Sequence, residues 1–342
     1  MPTPSNATDF AAGGPRVTVI GESLVDIIDD PRRGFAGRHA HPGGSPLNVA
    51  VGTARLGLAT SLVTHYDDDA YGLLVDQHLR SNGVAPVRGG TAPTSTATAT
   101  LGDDGAATYA FQVTWDINGA SLPALAAVEA STHVHTGSIA TLLPPGSHAT
   151  LALVEAARRS ATVSYDPNCR PGISPGVASA RRQAEDFVAA SDVVKASDED
   201  LRWLYPERTP DESLAAWLEL GPALVALTRG AQGPVLLTRQ GRVELQGEPV
   251  DVADTVGAGD SFMAALIAGL SQLDLLGAGA RPRLAALAPG GLHVLAAYAN
   301  RAAAITCSRP GADPPGRAEL GTASPDADAC LRTQPRRIRR AG

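Results

Sequence analysis

The chain has 342 residues, 44% of them apolar but 4% aromatic, enough for one large domain whose core is filled by Ala, Val and Leu. A formal charge of −7 argues against a nucleic-acid or anionic-membrane surface as the main partner, and no apolar run reaches the roughly 18 to 20 residues of a membrane span. The cysteines, Cys169, Cys307 and Cys330, show neither metal-ligand spacing nor a disulfide framework, which fits a cytoplasmic protein.

Residues 1–15 lack a basic n-region and an apolar h-region and read as a flexible tail, not a signal peptide. RVTVIGES, Arg16 to Ser23, reads as a buried strand. Asp26 follows it, at the carboxyl end where ligands sit in open α/β sheets; a plain turn residue is the other reading. Gly43 and Gly44 precede Ser45 and Pro46, and from Leu47 the apolar spacing makes a helix ending at Gly57. Paired glycines let a ligand touch backbone, and Asn48 offers both a donor and an acceptor to a polyol. SLVTHY is the next strand, and an acidic cap with a helix behind it follows.

TSTATATL and AATYAFQV are β-rich runs split by Gly102, Asp103, Asp104 and Gly105, a hairpin that suggests a separate small sheet. Trp115, Asp116 and Asn118 come next, placed either to reach a ligand or to form an ordinary loop. From Ser131 short apolar strands alternate with helices, which predicts an α/β fold with a doubly wound, mostly parallel sheet flanked by helices. Asp166 to Pro171 stand at a strand's carboxyl end, where Arg170 steadies a phosphate or is a solvated surface charge. Ser197 to Asp200 make a good helix N-terminus. Leu224 to Leu237 is a strand, a glycine-marked loop and another strand.

In VADTVGAGDSFMAALIAGL, Gly257, Ala258 and Gly259 form a loop almost without side chains, and Asp260 opens a long helix. The first amides of a helix lack partners inside it and the peptide dipoles add partial positive charge there, so an anion can bind. An aspartate at that place can take a proton from a hydroxyl beside it, although simple capping is also common there. Residues 318–342 are polar and end in RRIRR, read as a disordered basic tail.

The D-T-V-G-A-G-D string together with HPGGSPLNVAVG resembles the two signatures of the ribokinase-like, or PfkB, family of carbohydrate kinases; GESLVD, GGSPLNVA and DPNCRP look most like its fructokinase-type members. The resemblance runs from about Val17 to Pro315 and implies a kinase domain over 16–317 with a β lid from about 24–40 and 94–116. It implies ATP and Mg²⁺ as cofactors and a small neutral sugar as substrate, D-fructose first, with ribose and 2-keto-3-deoxygluconate behind it. Asp260 becomes the general base and Gly257 to Gly259 the anion hole; Asp26, Gly43, Gly44, Asn48, Asp116 and Arg170 contact the sugar. Ser197, Thr228, Gly230, Gly233 and Asn300 face the nucleotide, with Asp200 toward magnesium-bound water. Asp254 joins carbonyls of the Arg309 to Ala312 loop around a monovalent cation such as K⁺, and two lids can pair into a homodimer.

Two departures stand out: Asp67 replaces a usual glycine, and Ser197 and Asp200 replace Asn and Glu. A dinucleotide-dependent dehydrogenase would need G-x-G-x-x-G after the first strand, where VIGES stands. A P-loop kinase would need G-x-x-x-x-G-K-S/T, which the single lysine, Lys195, excludes. A kinase-derived sugar sensor is the non-enzyme alternative.

Overall fold

The computed structural model describes residues 14–31, 37–101, 107–174 and 176–324. The chain opens with β1 (Arg16–Ile20), β2 (Leu24–Asp29), β3 (Arg38–Gly43) and helix α1 (Ser45–Arg55). It continues through β4 (Ala59–His65), α2 (Ala70–Ser81), β5 (Val84–Gly89), β6 (Ser95–Leu101) and β7 (Ala107–Gln112). Then α3 (Ser121–Glu129), β8 (His133–Gly137), α4 (Gly146–Ala157), β9 (Thr162–Asp166), α5 (Val177–Ala189) and β10 (Val193–Ser197) alternate. They are followed by α6 (Asp198–Leu204), α7 (Pro210–Glu219), β11 (Leu224–Thr228), β12 (Val235–Thr238) and β13 (Gly241–Glu244). The last helices are α8 (Ala258–Gln272), α9 (Arg281–Ala285), α10 (Pro289–Cys307) and α11 (Arg317–Leu320).

Nine strands form one sheet in the order β13-β12-β11-β10-β9-β8-β1-β4-β5. From β11 to β5 all neighbours are parallel, and β12 and β13 add an antiparallel edge. Parallel strands need helical crossovers, which cover both faces, so β1 and β11 are nearly continuous apolar runs. One face packs on α1, α2, α8 and α10, the other on α3 to α7, giving two hydrophobic clusters separated by the sheet. All the parallel strands therefore end at one edge, and that edge carries the site. No helix among the described residues is long and apolar enough to cross a membrane.

The expected lid is a second sheet, in the order β3-β2-β6-β7. Its register pairs Asp26 with His41 and Ala97, and Ala97 with Phe111, so these residues share one face. Val25 and Ile27 point the other way and bury themselves in the cluster that includes Val75 of α2. The expected hairpin turn at Gly102 to Gly105 lies outside the described residues, as do Phe35, the tail over 1–13, Cys330 and the RRIRR run.

Three expectations are corrected. Trp115, placed next to the sugar by its position after the hairpin, is 1% exposed and belongs to the core, its indole N–H donating to Thr150 Oγ1 at 3.0 Å. The folded region does not stop at 317: Leu320 is 2% exposed against the core, and Ala323 N–H donates to Gln272 Oε1 at 2.8 Å. Helix α1 starts at Ser45 rather than Leu47, with Pro46 in its first turn, where the missing N–H costs nothing.

Candidate active site

Helix α8 begins at the carboxyl edge of the sheet. Its N-cap, Gly257, has φ 74°, and a Cβ there would lie 2.5 Å from Ala312 Cβ, so the turn requires glycine both for its conformation and for the close approach. Ala258 N–H bonds weakly to Thr255 O at 3.3 Å, which makes the Gly259 and Asp260 amides the first-turn donors best placed for an anion.

Asp260 is 7% exposed and held from a second helix. Ser45 Oγ donates to its Oδ1 at 2.6 Å and Asn48 Nδ2 to its Oδ2 at 2.8 Å. Ser45 and Asn48 are three residues apart, hence neighbours on one face of α1. Gly52 lets that face approach α8, since a Cβ on it would sit 2.6 Å from Ala264 Cβ. The N-termini of α1 and α8 therefore meet, with Asp260 between them. Asn48, expected as a sugar contact, is a partner of the expected base, and Ser45 is a site residue that sequence reasoning passed over.

The sugar-side residues gather on the lid and at the start of α1. Gly43 and Asp26 are packed together, because a Cβ on Gly43 would lie 2.2 Å from Asp26 Oδ2. Gly44, the N-cap of α1 at φ 108°, leaves room for Glu22 O, 2.7 Å from where its Cβ would be. Asp26 keeps open surface, yet burial raises its pKa, with Arg170 and His41 opposing the rise. Arg170 is exposed, braced by Asn168 Oδ1 at 2.7 Å and Cys169 O at 3.1 Å, and its charge acts on Asp26 and Glu22 alike. Glu22 is 2% exposed and pushed up to about 7 by burial, against the hydrogen bonds of Ser138 and the Ala140 N–H. Asp116 is not drawn into this group: it accepts from Asn118 N–H at 2.9 Å and Asn118 Nδ2 at 3.0 Å, a local Asx turn.

On the nucleotide side, Ser197 caps α6 in a reciprocal box with Asp200. Asp200 accepts from Cys169 N–H at 2.7 Å through Oδ1 and from Ser197 N–H at 2.9 Å and Oγ at 2.6 Å through Oδ2. Its carboxylate thus ties the loop after β9 to α6. No group of three or more His, Cys, Asp or Glu able to hold a metal occurs among the described residues. Thr228 ends β11, and Gly230 and Gly233 follow with φ 52° and 79°. Gly233 packs under Leu245 O, and Asn300 Nδ2 donates to Gln246 O at 2.9 Å, so these two expected nucleotide contacts meet around one loop.

Asp254 accepts from Val256 N–H at 3.1 Å and Gly311 N–H at 2.8 Å, bonds that hold its pKa below the usual carboxylate range. The expected carboxylate and the Arg309 to Ala312 loop are therefore adjacent. Beneath α8 lies an ion pair to which sequence reasoning gave no role: Lys195 Nζ donates to Asp166 Oδ2 at 2.7 Å, the side chains 5% and 1% exposed. Burial pushes Asp166 up to about 6 despite Lys195, with Asp200 and Asp260 adding to the rise. Burial disfavours the Lys195 ammonium, but Asp166, Asp200 and Asp260 outweigh it and leave its pKa raised.

Comparison with known proteins identifies the family. The profile of the pfkB family carbohydrate kinase matches residues 15–318. The fructokinase of Rhizobium leguminosarum bv. trifolii is 35% identical over 263 residues, 75% of this chain and 80% of its own. The structure of Xylella fastidiosa fructokinase with bound ATP has a TM-score of 0.76 at 25% identity, covering 87% of this chain and 93% of that one. Vibrio cholerae O395 fructokinase, solved with fructose, ADP and a calcium ion, has a TM-score of 0.70 at 25% identity, covering 93% and 98%; a double mutant of it was solved with fructose, ADP and a potassium ion. With the family profile matched over residues 15–318, this chain belongs to the pfkB family of carbohydrate kinases and is an ATP-dependent sugar kinase.

Proposed function

We propose that the chain transfers the γ-phosphoryl group of ATP to a primary hydroxyl of D-fructose. The observation that carries the reading is Asp260: a buried carboxylate at the N-terminus of α8, oriented by Ser45 and Asn48, facing the edge on which the lid presents Asp26. In this role Asp260 takes the hydroxyl proton as the oxygen attacks phosphorus. The Gly259 and Asp260 amides stabilise charge on the transferred oxygens, a task of positioning and electrostatics. Lid closure would exclude water, which competes with the sugar as acceptor. Mg²⁺, bound through phosphates and water, would supply charge neutralisation. Asp254 and the Arg309 to Ala312 loop would hold K⁺ beside the anion turn.

Fructose is favoured over a phosphorylated sugar because the sugar-side residues, apart from Arg170, are neutral or acidic, and over a nucleoside because Trp115 is in the core and not on the lid. The names of the relatives point the same way. Ile28 and Phe111, exposed on the lid, support pairing of lids between two copies. A coupled ADP-release assay with fructose, ribose, 2-keto-3-deoxygluconate, adenosine and fructose 6-phosphate tests the substrate. The highest kcat/KM is expected for fructose; a higher value for any other acceptor overturns that choice, and silence with all of them despite ATP binding favours the sensor.

A further inference from the structure

The parallel register places Val193 beside Ser164 and Val194 beside Tyr165, so the carboxyl ends of β9 and β10 bring Asp166 and Lys195 side by side. Both side chains point to the face on which α8 packs, and the Lys195 ammonium reaches the underside of the anion turn: a Cβ on Gly259 would lie 2.9 Å from Nζ. Asp166 of β9 pairs with this ammonium at 2.7 Å, and the charges of Asp200 of α6 and Asp260 of α8 also act on it, as its own charge acts on His135 of β8. Phosphate oxygens approaching Gly259 would be repelled by those carboxylates in a low-dielectric site, where screening is weak. A hydrophobic pair could fill the same space at no loss of stability, since buried ion pairs are weak evidence for stability.

We propose that Lys195 is a positioning residue for phosphoryl transfer: clamped by Asp166 against the underside of Gly259, it offsets the surrounding carboxylates and keeps the anion turn receptive to the transferred phosphoryl group. Asp166 is the clamp that fixes the ammonium, and Gly259 is glycine because Nζ occupies the space beneath it. This rests on the kinase reading above. It acts through the backbone of the turn and asks nothing of the sugar pocket, so it predicts a loss in kcat with the sugar KM preserved.

The test compares the wild type with Lys195→Met and with the double variant Lys195→Met/Asp166→Asn, which removes both charges of the pair. Melting temperature reports the structural share, and steady-state kinetics report the rest. The double variant is expected to melt near the wild type while kcat falls on the order of 10- to 100-fold and the sugar KM stays within about 3-fold. A double variant that melts near the wild type and keeps kcat within about 2-fold overturns the proposal. Should neither variant fold, the unaltered protein still answers. Its single lysine gives one side-chain signal with ¹³C,¹⁵N-lysine labelling, expected to shift when ADP, aluminium fluoride and fructose saturate the site. A signal unmoved at saturation overturns the proposal. A wild type that releases no ADP with any sugar defeats the kinase reading instead, and the same signal titrated with ATP alone then decides for Lys195.

Discussion

Gly43 of β3 is the diagonal neighbour of Asp26 on β2, at a separation that leaves no room for a side chain on residue 43: its Cβ would lie 2.2 Å from Asp26 Oδ2. Gly43→Ala is therefore expected to swing the Asp26 carboxylate out of place while Asp260, held from α1, stays where it is. The sugar KM should rise roughly 10-fold or more with kcat changed far less, the signature of lost uniform binding. Kinetics at saturating ATP check this, and an unchanged KM removes Asp26 from the sugar site.

Replacing Asp260 by Asn keeps an acceptor for one of the two donors, and the Ser45 hydroxyl can turn to accept from the new amide. Folding and ATP binding should be nearly intact, with turnover lowered at least about 10²-fold through loss of the base. Calorimetric ATP titration beside single-turnover kinetics separates the two effects. Near wild-type turnover would rule out Asp260 as the base.

Because the Gly311 N–H donates to Asp254 at 2.8 Å, a cation held by that carboxylate and the carbonyls of the Arg309 to Ala312 loop would set the pose of the adjoining Gly257 turn. Activity at constant ionic strength is expected to be higher in K⁺ than in Na⁺ or Li⁺, and Asp254→Ala is expected to erase the difference. Equal rates of the wild type in all three salts would dispose of the cation site.

Glu22 gives a pH dependence of stability with a definite sign. Its pKa is raised from 4.5 to about 7 by burial, so between those values the folded state binds more protons than the unfolded state and stability falls as pH rises. The full effect is on the order of 3 kcal/mol. Glu22→Gln should abolish this slope and be the more stable protein at pH above about 7. His133 and His135, buried and lowered to about 4 and about 3, act the opposite way as pH falls below their unfolded value near 6.5. The quantity to measure is thus the difference between wild type and variant in urea unfolding across pH 4 to 8. A constant difference would show that Glu22 does not titrate in this window.

The fold was legible where local signals agree with tertiary structure. β1 and β11 are apolar runs because both faces of a parallel sheet are covered, and the glycines before α1 and α8 announce turns that need positive φ or close approach. β5 was hidden by Pro86, which is tolerated there because the strand sits at the sheet edge. α11 was missed because four residues in a polar stretch show no periodicity; Leu320 finds its place in the core by tertiary packing alone.

The base and its anion turn could be read from a contiguous string, but its partners could not. Ser45 and Asn48 lie more than two hundred positions away and reach Asp260 because Gly52 lets two helices touch. Likewise, nothing local in Asp166 or Lys195 says that the two pair, since that follows from the register of β9 against β10. Trp115 shows the converse error: adjacency to the lid in sequence suggested the sugar pocket, whereas the chain turns inward at that residue.

The enclosure of Lys195 has a practical side. The chain contains no other lysine, so the exterior of the folded protein carries its positive side-chain charge on guanidinium and imidazole groups. Amine-directed acylating reagents therefore find no exposed lysine side chain on the folded protein. Acylation at position 195 becomes, in the same experiment, a chemical clock for opening of the fold.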